Sequence, residues 1–261
     1  MDALNLSALL AAAQAKVLPP GGAMPTVEVV LRWLHFLAGI TWIGLLYFFN
    51  LVNVPLMKEL DGPTKGKVIP VLMPRALWWF RWGAVVTVLA GLLYWIIIIS
   101  ADARNAQTAG HADASLGMTL GTFFGIWTVA WAIGGGMILH NKGALNKGPF
   151  LAVFIGALVF GASMIFLQLN SHGWESSRLL SIGIGGGMGW IMLLNVWGII
   201  WRHQKKIIAW TKANAEGGTP VPPESAALAR QAFLASRTNA FLSLPMLFFM
   251  ASASHYTFLV Q

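Results

Sequence analysis

Residues 83–100 read Gly-Ala-Val-Val-Thr-Val-Leu-Ala-Gly-Leu-Leu-Tyr-Trp-Ile-Ile-Ile-Ile-Ser, eighteen positions without a charged side chain. As a helix rising 1.5 Å per residue this stretch reaches about 27 Å, close to the thickness of a bilayer's hydrocarbon core. No water is available there, so every backbone N–H and C=O must pair within the segment, and the helix is the shape that achieves this. Five more stretches have the same character. The sequence therefore predicts spans over 27–53, 78–101, 118–140, 149–169, 179–201 and 239–261. The expected fold is all-α: a polytopic membrane protein forming a six-transmembrane-helix bundle over 27–261, preceded by an outer-face segment over 1–26.

Composition agrees. Of 261 residues, 57% are hydrophobic and 10% charged, with mean hydropathy +0.67. Soluble domains carry about 25% charged residues because their surface meets water. The formal charge of +8 does not point to nucleic acid, because the basic residues are scattered through short loops instead of forming a patch. Their distribution reports orientation. Loops after spans one, three and five hold Lys58, Lys65, Lys67, Arg75, Arg81, Lys142, Lys147, Arg202, Lys205, Lys206, Lys212, Arg230 and Arg237. The other side holds Lys16, Arg32, Arg104 and Arg178. The odd-numbered loops are thus expected in the cytoplasm, with both termini on the periplasmic side of a bacterial inner membrane. Trp78, Trp79 and Trp82 at the start of span two fit an interfacial belt.

The ends and loops are less regular. The first residues lack a basic n-region, and the apolar run from Ala8 to Ala13 is short for a secretory signal. They read as a short interfacial helix ending at Pro19-Pro20-Gly21-Gly22. Residues 68–77 carry Pro70 and Pro74 and read as interfacial, leading into span two. The long loop 202–238 reads as two short interfacial helices joined by a flexible link around Gly217-Gly218-Thr219-Pro220, with a basic face suited to anionic lipid.

Cysteine is absent. That excludes a disulfide framework, a thiolate metal site and covalent haem attachment within this sequence. The candidate ligands are histidines. His111 falls in an outer loop, and His140 and His203 at helix ends beside basic residues, where solvated or headgroup-facing positions are expected. His35 and His255 are different. Counted from Val27 and from Gln261, they lie about 12 Å and about 9 Å inside the same face of the membrane. An ionisable side chain at that depth is costly unless it is paired or ligating. Gly39 follows His35 by four residues, and Ala251 and Ser252 precede His255 by four and three, so small residues share each histidine's face. They leave room for a flat macrocycle, or they let helices pack closely; both readings stand. Arg32, one turn outward of His35, is placed to pair with a haem propionate. His172, in Asn170-Ser171-His172-Gly173-Trp174-Glu175, is a third outer-side candidate or an ordinary loop residue.

The runs Gly134-Gly135-Gly136 and Gly183-Ile184-Gly185-Gly186-Gly187-Met188-Gly189 lack the context of a phosphate loop and suit close helix packing. Asn50, Asn53 and Asn195 are expected to hydrogen-bond between helices or to line a polar pocket. No span contains paired carboxylates, which argues against proton-coupled transport.

Three blocks resemble a known family. The stretch Arg32-Trp33-Leu34-His35-Phe36-Leu37-Ala38-Gly39-Ile40-Thr41-Trp42-Ile43-Gly44, continuing to Asn50, is similar to the first span of bacterial membrane-bound urate oxidases (urate hydroxylases). So is Met188-Gly189-Trp190-Ile191-Met192-Leu193-Leu194-Asn195-Val196-Trp197-Gly198, running into Arg202-His203-Gln204-Lys205-Lys206. The ending from Leu244-Pro245-Met246 to His255-Tyr256 resembles that family's last membrane helix. In the family such a domain is typically followed by a cytochrome c domain, which this sequence lacks. The resemblance implies haem b held by His35 and His255, and electron transfer to an external cytochrome c or other membrane redox subunits. The alternative is a non-catalytic accessory subunit of a larger respiratory or oxidase complex. In either case an oligomer or complex within the lipid bilayer is expected.

Overall fold

The computed structural model describes residues 23–257 and 259, and among these every regular element is helical. Six helices are long and apolar enough to cross a membrane: α1 Ala23–Glu59, α2 Gly62–Thr108, α3 Leu116–Leu139, α4 Gly148–Leu169, α5 Ser177–Gly217 and α6 Ser225–Ser252. A 3-10 turn at Gly143–Asn146 joins α3 to α4. The chain is a multi-pass membrane protein. The N-terminal helix expected to end at Pro19-Pro20-Gly21-Gly22 lies outside the described residues.

α5 is the central helix. It packs on α2, α3 and α6, and its glycines explain how. The ring of Phe166 lies against Gly183 and the indole of Trp127 against Gly187, both too close to admit a Cβ. At Gly185 a Cβ would stand 3.1 Å from Cβ of Phe249 and 3.2 Å from the carbonyl oxygen of Met246. Small residues thus let bulky rings from α3 and α4, and the backbone of α6, approach the α5 axis. Trp127 and Phe166 are fully buried as a result. The packing role expected of this run is the observed one.

Three regions differ from the sequence expectation. Residues 68–77 are not a separate interfacial element: α2 runs unbroken for 47 residues. Asp61 caps its start, its Oδ1 accepting from the Thr64 N–H at 2.9 Å, and Pro63 occupies the first turn, where no N–H is needed. Hydrogen bonds from Thr64 hold the Asp61 carboxyl below its ordinary range. Pro70 and Pro74 lie inside the helix. Each removes one backbone bond, yet the helix persists because it packs against the far end of α5. Gly66 and Ala215 meet there so closely that a Cβ on Gly66 would stand 2.9 Å from that of Ala215.

Residues 202–238, likewise, are not two short helices on the membrane surface. They are the continuation of α5 to Gly217 and the beginning of α6 at Ser225. The break between them is as expected: Gly218 adopts φ 65° and closes α5 with its N–H on the Asn214 carbonyl.

The third difference is the end of α6. The sixth span was expected to continue to Gln261, but the helix stops at Ser252. The Ser252 hydroxyl donates to the Phe248 carbonyl at 2.7 Å, while its own carbonyl accepts from both His255 and Tyr256. That local closure competes with helix continuation. His255 therefore lies on an exposed turn beyond α6 and not on a spanning helix.

Two π-helical segments interrupt the long helices, at Phe48–Asn53 in α1 and Val196–Ile200 in α5.

Candidate functional site

His35 sits where α1 packs along α2. Three glycines make that contact tight. A Cβ on Gly83 would stand 3.4 Å from the Ala38 carbonyl oxygen, one on Gly39 3.6 Å from Thr87 Cγ2, and one on Gly91 2.7 Å from His35 Nδ1. The imidazole thus fills the notch that the missing Gly91 side chain leaves. In that notch its Nδ1 lies 2.8 Å from the Thr87 carbonyl oxygen. A carbonyl only accepts, so Nδ1 carries the proton and donates. In the neutral ring the lone pair is then on Nε2. A histidine whose Nδ1–H is tied to a backbone carbonyl is the arrangement usual for a metal-ligating imidazole, because it fixes both tautomer and ring orientation.

The surrounding residues divide. Arg32 is exposed, with its guanidinium 5.8 Å from the centre of the Tyr94 ring on α2. The space beside Gly39 is occupied by Thr87, so this glycine serves the α1–α2 contact. Ser252 is engaged in closing α6. His255 is exposed on the following turn, and among the described residues no hydrogen bond, ion pair or ring contact links it to His35. His172 is bound within its own loop: its Nδ1 lies 2.6 Å from Glu175 Oε1, and its backbone N–H donates to Oε2. The Glu175 side chain is only 2% exposed, so this loop is built around a buried carboxylate. Ser176 extends the structure by donating to Asp102 at 2.7 Å.

The remaining histidines are dispersed. His140 lies 3.0 Å through Nδ1 from the Gly136 carbonyl at the end of α3, and His111 belongs to the turn after α2. Among the described residues no group of three or more His, Cys, Asp or Glu side chains converges. A metal held by protein side chains alone thus has no ligand set there. Haem, whose macrocycle supplies four donors itself, asks only for axial ligands, and His35 fits that lesser demand.

Polar residues deeper in the bundle tie helices together. Asn195 donates to Asn239 at 2.8 Å, Asn239 donates to the Met192 carbonyl at 3.0 Å, and the Trp131 indole N–H donates to Asn195 at 3.2 Å. Asn50 donates to Ser236 Oγ at 2.9 Å, joining α1 to α6. The expected interhelical role is met by Asn50 and Asn195. Asn239, the other half of the Asn195 pair, was visible in the sequence only as an asparagine near the start of span six. Thr87 and Gly91, which define the His35 notch, carried no sequence signal, because nothing local relates them to a residue more than 50 positions earlier.

An all-helical membrane bundle, with one oriented histidine between its first two helices and an asparagine network at its centre, is the class of protein this is. The chain belongs to the urate oxidase N-terminal family, whose model matches residues 60–261. No curated protein and no solved structure matches it. The matched region begins after α1, so His35 lies outside it, whereas Thr87, Gly91, His172 and His255 lie within.

Proposed function

We propose that this chain is the membrane module of a urate-oxidising redox system of a bacterial inner membrane, binding haem b through His35 and delivering electrons to a cytochrome c. Family membership supports the urate link. The observation that carries the cofactor reading is the His35 Nδ1–H donated to Thr87 O, which leaves Nε2 as an oriented donor.

Bound haem supplies one-electron chemistry, with the protein tuning its potential. The chain's own residues hold and orient it. His35 would supply a ligand nitrogen through Nε2, with Thr87 fixing the tautomer and Gly91 leaving the space for the imidazole, and the exposed Arg32 guanidinium would be available to a propionate. His255, from its exposed turn beyond α6, would be the candidate for a second ligand, and His172 stays with Glu175. The sequence has no cysteine to bind haem covalently, so the accepting cytochrome's haem is held elsewhere.

The test is a dithionite-reduced minus oxidised spectrum of the purified chain with pyridine haemochrome quantitation, on wild type, His35→Ala, His255→Ala and His111→Ala. The expected result is a b-type signal lost in His35→Ala, weakened in His255→Ala and intact in His111→Ala. A full haem complement in His35→Ala would overturn the ligand assignment. A flat wild-type spectrum from folded protein would favour the accessory-subunit reading. Urate-dependent reduction of added cytochrome c by membranes containing the chain tests the activity itself.

A further inference from the structure

At the edge of the membrane where the basic loops gather, a second feature has no part in the redox reading. Arg81 stands three residues into the expected second span, about 4.5 Å beyond its start, and Trp201 closes the expected fifth span. The fold stacks them. The Arg81 guanidinium carbon lies 3.8 Å from the centre of the Trp201 ring and 5.7 Å from that of Trp197.

Three observations mark this guanidinium as built to receive a partner. First, its charge is uncompensated. Among the described residues Arg81 makes no ion pair, those present being His172–Glu175 and Lys212–Glu216. Residues 78–101 and 179–201 contain no Asp or Glu, and a charge at the membrane boundary is costly without a counter-ion. Second, the group is held in place. Nε is enclosed and takes no hydrogen bond, the plane is seated by the indole, and the residue as a whole is half-buried. The open side therefore belongs to Nη1 and Nη2, a fork that matches two oxygens of a phosphate. Third, the surroundings lead outward. Trp82, 42% exposed, meets Trp197 edge to face at 5.4 Å and carries the aromatic wall to the bundle surface. Trp197 belongs to the π segment of α5 and Trp201 follows that segment directly; such segments gather at functional sites. Lys205, exposed one turn beyond Trp201 on the same face, adds a second positive charge.

We infer that Arg81, stacked on Trp201 and joined by Lys205, is a binding site for the phosphodiester of an anionic phospholipid. The site lies at the membrane boundary, where lipid phosphates are, and opens sideways past Trp82. Basic pockets between spanning helices are suited to anionic headgroups, and the indoles offer apolar surface to the glycerol and first acyl carbons. A zwitterionic headgroup would bring its own ammonium against Lys205, so it is disfavoured. An arginine that merely snorkels to the interface would hold any headgroup alike. The site is independent of haem, and its failure would leave the His35 reading untouched.

The experiment titrates phosphatidylglycerol, or phosphatidylcholine, into the full chain in detergent and reads bound lipid by native mass spectrometry, with thermal unfolding in parallel. Wild type is compared with Arg81→Gln, Arg81→Lys and Lys142→Gln. Lys142 is an exposed cation of the α3–α4 connection, away from the site, and controls for diffuse attraction. The expected result is one tightly held phosphatidylglycerol per chain and weaker phosphatidylcholine binding. Arg81→Gln should weaken phosphatidylglycerol binding on the order of tenfold to a hundredfold, as for lost bonds to a charged group. Lys142→Gln should cost no more than about fivefold, the share of one cation near an anionic surface. Arg81→Lys keeps the charge but loses the fork, so its affinity should fall between; it also carries the test if Arg81→Gln fails to fold. Undiminished binding in the Arg81 variants, equal binding of the two lipids, or an equal loss in Lys142→Gln would each overturn the inference. Inorganic phosphate that stabilised wild type as much as phosphatidylglycerol does would overturn the lipid as the source of the anion.

Discussion

A single substitution separates the two roles of the notch that holds His35. Gly91→Ala would place a methyl within 2.7 Å of His35 Nδ1, so the imidazole must tilt and the bond to Thr87 must lengthen. The expected outcome is a shifted haem absorption maximum and reduced haem retention, with unfolding behaviour close to wild type, because the ring edge is a movable neighbour. An unchanged spectrum would mean that the notch does not orient the ligand. His35 itself could be singled out in the sequence from its depth alone. Its partners could not, since a side chain bonded to a backbone carbonyl leaves no trace in residue type. His255 shows the opposite failure. Its depth was counted from the chain end on the premise that the helix continued, and the Ser252 closure removes that premise.

Among the elements, α5 is the most demanding, because its glycines are occupied by their neighbours. Gly187→Ala puts a methyl into the Trp127 indole, which is fully buried and has no room to withdraw. The expected cost is about 1–3 kcal/mol of stability, as for overpacked cores in general, read as a lower unfolding midpoint in detergent. Gly44→Ala is the control. Nothing lies within 4 Å of the added methyl, and replacing glycine by alanine within a helix should stabilise by about 0.5–1 kcal/mol. If the two variants behave alike, the glycine run is not a packing device. The spans were legible because hydropathy reports contact with lipid. For the same reason their true lengths were not. Residues 62–67 and 202–217 are helical but polar enough to stand outside lipid, and a hydropathy window ends where the lipid ends, not where the helix does. Over the apolar residues 68–77 it was Pro70 and Pro74 that hid the helix. The π segments were equally hidden, since one extra residue scarcely disturbs an apolar pattern.

For the whole molecule, the remaining question is which way it faces. The excess of lysine and arginine after spans one, three and five predicts that the far end of α5 is cytoplasmic. The chain has no cysteine, so a single introduced thiol reports cleanly. Ala213→Cys, exposed near the end of α5, should resist a membrane-impermeant maleimide in intact cells, whereas His111→Cys, on the turn after α2, should react. The reverse pattern would invert the topology and place the His35 notch on the cytoplasmic side.

The uninterrupted length of α2 has a mechanical meaning. At 1.5 Å per residue its 47 residues form a rod of about 70 Å, more than twice the thickness of hydrocarbon it crosses, and Thr87 and Gly91 are part of that rod. A stiff rod converts a small tilt at one end into a larger displacement at the other. Its compliance, however, is not uniform. Pro70 and Pro74 leave the Gly66 and Pro70 carbonyls without their usual donors, so bending is easiest over that short stretch, well before Thr87. Forces on the first turns of α2 are therefore absorbed as local flexing, and the carbonyl that orients His35 is insulated from them.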